Sequence, residues 1–257
     1  MIELKDKYVL TIVTVVYNDV DNIEKTLKSV ERIKSSHIQY IVIDGSSTDG
    51  SLEIIKKYNG IIDILVSEKD NGIYDAMNKG LDFAEGTTIV FMNGGDIFHE
   101  KFNPVDTIKK YDYANLTLIG YSLQTFQEDI YLRPSKNNIK NLLKNPAHQA
   151  VFVPKIKYSK IKYNLNYRIS ADYYWIKEVV NRNEYVIIDD IVAVFSLGGK
   201  STSNKFSDIL LMNKEMNLKH VYLKTIIKFV MFNVLGRKLS FRFLYRKKYE
   251  LLNQKFC

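Results

Sequence analysis

Tyr8-Val-Leu-Thr-Ile-Val-Thr-Val-Val16 is apolar or β-branched on both faces, the pattern of a strand buried inside a parallel sheet. Asp19 to Arg32 follows with Ile23, Leu27 and Val30 at helical spacing. The unit then repeats. Ile38 to Ile43 reads as a second buried strand, Ser47-Thr48-Asp49 supplies helix-capping chemistry, and Leu52, Ile54 and Ile55 face a core from the next helix. Ile61 to Val66 is a third strand, Ile73 to Ala84 a helix, and Thr87 to Met92 a fourth strand ending in the Gly94-Gly95 turn. Four alternations predict an α/β fold with a parallel sheet.

After about residue 100 the alternation fades. Short strands are expected near Leu116 to Tyr121, Ala150 to Val153 and Tyr185 to Ile188, with a helix from Ala171 to Val180. Leu218 to Tyr249 reads as helical with a break at Gly236. A chain of 257 residues, 46% hydrophobic, can bury one substantial core, and its ordinary charged fraction and plentiful aromatics exclude a disordered chain or a disulfide scaffold. The single cysteine, Cys257, excludes an intramolecular disulfide and a multi-cysteine metal site, and accords with a reducing compartment. The first apolar run is too short to span a membrane and lacks a small-residue cleavage site, so no signal peptide is expected.

The formal net charge of +8 is unevenly placed: from Lys219 onward stand ten Lys or Arg and one acid, Glu250, which leaves residues 1–218 near neutral. Between His220 and Leu244 apolar residues such as Val221, Ile226, Ile227, Val230 and Val234 recur near helical spacing among these basic residues, the pattern of a helix lying in a membrane interface. The same stripe also suits a helix packed on the protein's own core or on a second subunit. Because the body is near neutral, nucleic-acid binding is disfavoured.

In open α/β sheets ligands bind beyond the carboxyl ends of the strands. Strand one ends in Tyr17-Asn18-Asp19, strand two in Asp44-Gly45-Ser46 and strand four in Asn93-Gly94-Gly95-Asp96, all on one edge. Carboxylates converging there suit a base, a ribose and a metal: Asp44 can accept from a ring N–H, and Asp96 can hold a divalent cation that also binds a diphosphate. Asp44-Gly-Ser-Ser-Thr-Asp-Gly50 reads equally well as a turn leading to a helix cap, since Asx turns use the same residue types. The Asn71-Gly72 turn precedes a helix on which Asn71, Asp75 and Asn78 share a face, with Ala76 and Gly80 small enough for close packing. Gly199-Lys200-Ser201 lacks the leading glycine of a phosphate loop, Val194 standing in its place.

Together these stretches resemble family 2 glycosyltransferases, particularly the colanic-acid-type exopolysaccharide enzymes. The resemblance rests on Thr14-Val-Val-Tyr-Asn18, Ile43-Asp-Gly-Ser-Ser-Thr-Asp-Gly50, Asp70-Asn-Gly-Ile-Tyr-Asp-Ala-Met-Asn-Lys-Gly80 and Phe91-Met-Asn-Gly-Gly-Asp96. It continues through His148-Gln-Ala-Val-Phe-Val-Pro154, Ser170-Ala-Asp-Tyr173 and Phe195-Ser-Leu-Gly-Gly-Lys-Ser-Thr202. It implies an A-type glycosyltransferase fold, a nucleotide-sugar donor with UDP-sugar favoured, a divalent Mg²⁺ or Mn²⁺, and inversion at the anomeric carbon. By position, Asp44 matches the base-reading aspartate and Asp172 the catalytic base. The paired metal aspartates of the family are replaced by Asn93 and Gly95, leaving Asp96 as the metal carboxylate.

On this resemblance the donor site comprises Thr14, Val16, Tyr17, Asn18, Asp44, Ser46, Asn71, Gly72, Asp75, Asn78, Asn93, Gly94 and Gly95, while His148 and Lys200 serve acceptor or diphosphate. It divides the chain into a transferase domain, residues 1–218, with a nucleotide-binding half to residue 100 and an acceptor-side half from residue 101, and a basic amphipathic helical tail, residues 219–257. The expected partners are a nucleotide sugar, a lipid-linked glycan acceptor and an anionic membrane surface, with the enzyme peripheral on the cytoplasmic face of the cell membrane. A sugar-phosphate nucleotidyltransferase is the rival enzyme class, but residues 10–20 lack its Gly- and Arg-rich phosphate loop.

Overall fold

The structure is a computed structural model that describes residues 7–126, 129–133, 146–180, 184–196, 206–215 and 250–252. Its first half is built of strand-helix units: β1 (Leu10–Val16), α1 (Ile23–Glu31), β2 (Ile38–Asp44), α2 (Ser51–Lys56), β3 (Ile64–Ser67), α3 (Ile73–Phe83) and β4 (Thr88–Phe91). β1 pairs in parallel with β2 on one side and β4 on the other, and β3 joins β2, giving the order β4-β1-β2-β3. The chain therefore reverses its direction of travel across the sheet between β1 and β4, and that reversal opens a crevice beyond their carboxyl ends.

The alternation within β1 explains the layering. Leu10 and Ile12 enter one core with Ile23, Leu27 and Val30 of α1, whereas Val13 and Val15 enter the opposite core with Ala76, Met77 and Leu81 of α3. A strand covered on both faces has no polar side to expose, hence its continuous apolar run. Gly80 permits the close approach of α3 to the sheet: a Cβ there would lie 2.4 Å from Cγ1 of Val13. A methyl at that distance would force the helix outward, so the small residues expected on this face serve packing.

The second half extends the sheet with antiparallel partners. Its elements are β5 (Ile97–Phe98), α4 (Pro104–Ile108), β6 (Thr117–Phe126), β7 (Asp129–Arg133), a single 3-10 turn (His148–Ala150), β8 (Val151–Pro154), α5 (Lys155–Tyr158), α6 (Ala171–Val179), β9 (Tyr185–Ser196), α7 (Phe206–Glu215) and β10 (Glu250–Leu252). β8 runs antiparallel to both β4 and β6, β7 and β5 are antiparallel to β6 and β9 respectively, and β9 lies parallel to β6. Among the described residues the sheet has ten strands.

Several expected bounds shift. β3 begins at Ile64 because Ile61 and Ile62 pack against the core from the preceding turn instead of pairing. β6 and β9 run well past the short strands expected there, since each finds a partner along its length in the other. The stretch 219–249, read as a basic amphipathic helix, lies outside the described residues. Glu250–Leu252, assigned to that helical tail, is a strand paired antiparallel with β7. No described helix is long and apolar enough to cross a membrane.

Candidate active site

Three loops meet at the carboxyl edge of β1, β2 and β4. At the end of β1, Asn18 adopts the left-handed backbone region with φ 47°, and Ser46, two residues past the end of β2, does the same with φ 65°. Two non-glycine residues in that region on adjacent loops cost conformational energy that the surroundings must offset. The offset is a set of cross-loop hydrogen bonds. The Asn18 amide N–H donates to Ser47 Oγ at 2.9 Å, its side-chain Oδ1 accepts from the Thr48 amide at 2.9 Å, and the Asp19 and Val20 amides donate to Ser51 Oγ and Asp49 Oδ2. The residue types expected of a helix cap are thus used to lock two loops together.

Asp44, fully buried at the end of β2, accepts from the Ser67 hydroxyl at 2.6 Å and from the Ser47 amide at 3.2 Å. Next to it, Gly45 lies under a carboxylate: a Cβ there would fall 2.5 Å from Asp70 Oδ2 and 3.3 Å from Tyr17 Cδ2. Tyr17, 59% exposed, therefore flanks the same spot as Asp70, whose Oδ1 caps the Gly72 amide at 2.8 Å. Asp75 accepts from the Asn71 amide at 2.9 Å, which closes the turn before α3.

Other expected donor residues are placed differently. Thr14 is fully buried, donates to the Met92 carbonyl at 2.7 Å and joins Tyr40 at 3.0 Å; it ties β1 to the end of β4 from within the sheet. Val16 is also buried, in the core against α1. Asn78 has both ends of its amide on the main chain of Tyr163, at 2.9 and 2.8 Å, and so fastens α3 to the loop before α6. Lys200 lies outside the described residues.

The turn after β4 is held from α1. The buried Thr26 hydroxyl donates to the Asp96 carbonyl at 2.7 Å and accepts from the Gly95 amide at 2.9 Å. Gly95 sits at φ 87°, a conformation that side-chain-bearing residues rarely adopt, so a carboxylate-bearing residue would be strained in this turn as it stands. The Asp19 Oδ2 lies 3.1 Å from the point a Cβ on Gly94 would occupy, so a carboxylate absent from this turn's own sequence is brought to it by the end of β1.

β8 then delivers the third component. Because β8 is antiparallel to β4, with Ile89 opposite Val153, the residues just before β8 lie beside those just after β4. Consecutive side chains of the 3-10 turn reach two different carboxylates. Gln149 Nε2 donates to Asp96 Oδ2 at 2.7 Å. His148 places Nε2 3.2 Å from Asn93 Nδ2 and Nδ1 3.7 Å from Asp172 Oδ2, the latter an ion-pair distance.

Asp172 stands in the first turn of α6 and is also reached by the Tyr74 hydroxyl, 3.2 Å from Oδ1. Its side chain keeps 32% of its surface exposed. Burial is the largest influence on its carboxyl and opposes ionisation. The His148 ring, the Tyr173 backbone and the Tyr74 hydroxyl together outweigh it and hold the carboxyl below its usual range. Asp96 goes the other way: burial, aided by Asp19 and opposed by His148, Gln149 and Asn93, pushes it up to about 6. Two neighbouring carboxylates are thus shifted in opposite directions, Asp172 toward the ionised form and Asp96 toward the neutral one.

The shift of Asp96 bears on a metal. Asn93 Oδ1 is buried without a hydrogen-bond partner, and with Asp96 it presents hard oxygen donors on one turn. The pair fits a divalent cation that takes its remaining ligands from a diphosphate and water; among the described residues no group of three or more His, Cys, Asp or Glu is gathered for one. Asp70, Tyr74 and Gln149 stand inside stretches that carry the family resemblance but have no role assigned from the sequence, whereas nothing in the sequence around Glu215 signals a site.

The architecture is the A-type glycosyltransferase fold. Staphylococcus aureus TarS 1–349 in complex with UDP-GlcNAc superposes with a TM-score of 0.60 over 79% of this chain and 65% of that one, at 16% identity. The mannosyltransferase PcManGT from Pyrobaculum calidifontis in complex with GDP-Man and Mn²⁺ gives 0.61 over 82% and 63%, at 14% identity. Residues 11–174 match the family model described as glycosyl transferase family 2, and the chain belongs to that family. A PGL/p-HBAD biosynthesis glycosyltransferase of Mycobacterium tuberculosis is 29% identical over 161 residues, 57% of this chain and 60% of the relative. Glycosyltransferase AglE of Haloferax volcanii is 29% identical over 98 residues, 36% of this chain and 32% of AglE.

Proposed function

We propose that the protein is an inverting glycosyltransferase that moves a sugar from a nucleotide diphosphate donor, a UDP-sugar in preference, onto a glycan acceptor. One observation carries this reading: the 3-10 turn His148–Ala150 joins Asp96 through Gln149 and Asp172 through His148, so a diphosphate site and a proton acceptor face one crevice. Family membership supports the same chemistry.

In this reading the base and ribose lie against Tyr17, Asn18, Asp44, Ser46 and the Asn71-Gly72 turn, and the diphosphate beside Asn93 to Asp96. A Mg²⁺ or Mn²⁺ ion held by Asp96 and Asn93 Oδ1 would neutralise charge on the departing nucleotide diphosphate. Asp172 takes the proton of the acceptor hydroxyl as its oxygen attacks the anomeric carbon and the bond to the diphosphate oxygen breaks. Inversion needs one such base, and the low-lying carboxyl of Asp172 keeps it ionised at neutral pH. His148 orients that carboxylate and helps place acceptor or diphosphate, with Lys200 as a second cation for the phosphates.

The acceptor is read as a lipid-linked glycan of surface-polysaccharide assembly, reached by an enzyme peripheral on the cytoplasmic membrane face; support comes from the basic segment beyond residue 218. The deciding experiment is a binding and turnover panel of nucleotide sugars with Mg²⁺ or Mn²⁺. Metal-dependent binding and release of nucleoside diphosphate are expected for one donor class, and a panel with neither would overturn the reading.

A further inference from the structure

We infer that Glu215, the last residue of α7, is a positioning residue for Asp172. This rests on the reading of Asp172 as the catalytic base. The Glu215 carboxylate gathers three consecutive backbone amides: Oε1 accepts from Arg168 N–H at 2.6 Å, and Oε2 from Ile169 N–H at 3.2 Å and Ser170 N–H at 3.0 Å. The Ser170 hydroxyl adds a fourth donor at 2.6 Å.

Ser170 is the N-cap residue of α6, yet its side chain makes no capping bond to its own helix. Its hydroxyl is turned to Glu215 instead, so the anion that satisfies the approach to this helix comes from a residue 45 positions further along the chain. Successive amides converging on one carboxylate fix their backbone torsions jointly, and a negative charge is favoured at a helix N-terminus. The two ends of the contact are also fastened. The Glu215 carbonyl accepts from the Tyr174 hydroxyl at 2.8 Å, and Tyr174 stacks on Tyr167 with centroids 4.3 Å apart. From the opposite side the Tyr74 hydroxyl donates to the Ile169 carbonyl at 2.7 Å while also touching Asp172.

Residues 168–170 are therefore gripped by N–H on one side and by C=O on the other, and Asp172 follows two residues later. Its carboxylate is met by the backbone of its neighbour Tyr173, itself part of the first turn of α6, and by the longer contacts of His148 at 3.7 Å and Tyr74 at 3.2 Å. A base must be held to within a fraction of an ångström of the proton it takes. The contacts of Glu215 are to the backbone before α6 and not to Asp172 itself, so it acts by setting where the first turn of α6 begins.

The test compares wild type, Glu215→Gln, Glu215→Ala, Asp172→Asn and Glu215→Gln/Asp172→Asn in the full chain, using the nucleotide sugar that wild type turns over. Glu215→Gln keeps the side chain's volume while removing the charge and half of its acceptor capacity, and a thermal melt checks that the variants fold. The expected result is a fall in kcat of about 10- to 100-fold with donor KM within about twofold of wild type. The second change should add nothing in the Asp172→Asn background, because Glu215 then has no base to place. An unchanged kcat, a loss confined to donor KM, or a loss that multiplies fully onto Asp172→Asn overturns the inference while leaving the proposed function intact. If Asp172→Asn itself turns over like wild type, or wild type turns over no nucleotide sugar, the role of Asp172 is wrong and that of Glu215 falls with it.

Discussion

His148 and Asp172 meet with Nδ1 3.7 Å from Oδ2, while the other ring nitrogen of His148 lies 3.2 Å from the side-chain amide of Asn93. A single imidazole thus spans the gap between the turn after β4 and the first turn of α6, and that ring is among the influences that hold Asp172 low against burial.

Replacing that ring by an apolar one of similar size should expose the opposing effect. In His148→Phe burial remains but the ring's favourable contribution is gone, so the Asp172 carboxyl rises. The base is then protonated sooner as pH falls, and the acid limb of kcat, measured at saturating donor and metal, moves to higher pH. A limb at the wild-type position would show that His148 does not control Asp172.

Asp172→Asn conserves shape and removes the basic carboxylate. Transfer should fall by about 10²-fold or more with donor affinity largely kept, since the donor loops do not depend on this residue. Steady-state kinetics with a titration of the donor checks both halves. Near-normal turnover excludes Asp172 as the base.

Asp96 gives a prediction of opposite sign for stability and function. Its folded value of about 6 lies above the ordinary aspartate range, so its contribution to stability is full below that ordinary range and lost as pH rises through about 6. Above that window the metal-free protein carries an unfavourable charge. Asp96→Asn keeps an acceptor for Gln149, so at pH 7 it should stabilise the metal-free chain by about 1–2 kcal/mol, allowing for solvent screening, and have little effect near pH 4. The same change should weaken metal-dependent donor binding, and the wild type should lose that binding as pH is lowered through about 6. Thermal melts at the two pH values and calorimetric titrations with Mn²⁺ and donor check it; a destabilised variant with unaltered metal titration would make Asp96 a structural turn residue.

The basic segment from Lys219 predicts attachment to anionic membranes. The full chain should sediment with vesicles containing anionic lipid and be released by added salt, because each Lys or Arg near such a surface contributes up to about 1 kcal/mol that ions screen. Neutralising Lys219, Lys224, Lys228, Arg237, Lys238 and Arg242 should abolish sedimentation without altering nucleotide-sugar binding. Equal sedimentation with neutral vesicles, or none with anionic ones, would assign the segment to the protein's own packing or to a second subunit.

The sequence already carries the parallel half of the sheet and the edge on which polar residues emerge, because both follow from local patterns. Leu10 to Val16 could be read as doubly covered from its own residues, and Asn18, Asp44 and Asp96 from their places after buried runs. It also determined that Ala76 and Gly80 make a packing face, and Gly80 lies tight on Val13. What local pattern cannot specify is which distant groups share a contact. Thr14 belongs to the donor site by resemblance, but its hydroxyl is given to the Met92 carbonyl, and Asn78, which shares a polar helix face with Asn71 and Asp75, serves the Tyr163 backbone. The antiparallel register of β4 and β8 brings His148 and Gln149 to the turn after β4, and the arrival of α7 brings Glu215 to the start of α6. These pairings join residues from about 45 to 55 positions apart through strand register and helix packing, which are properties of the assembled chain. The chemical groups are legible residue by residue, but which of them meet is set only once register and helix packing have joined distant segments.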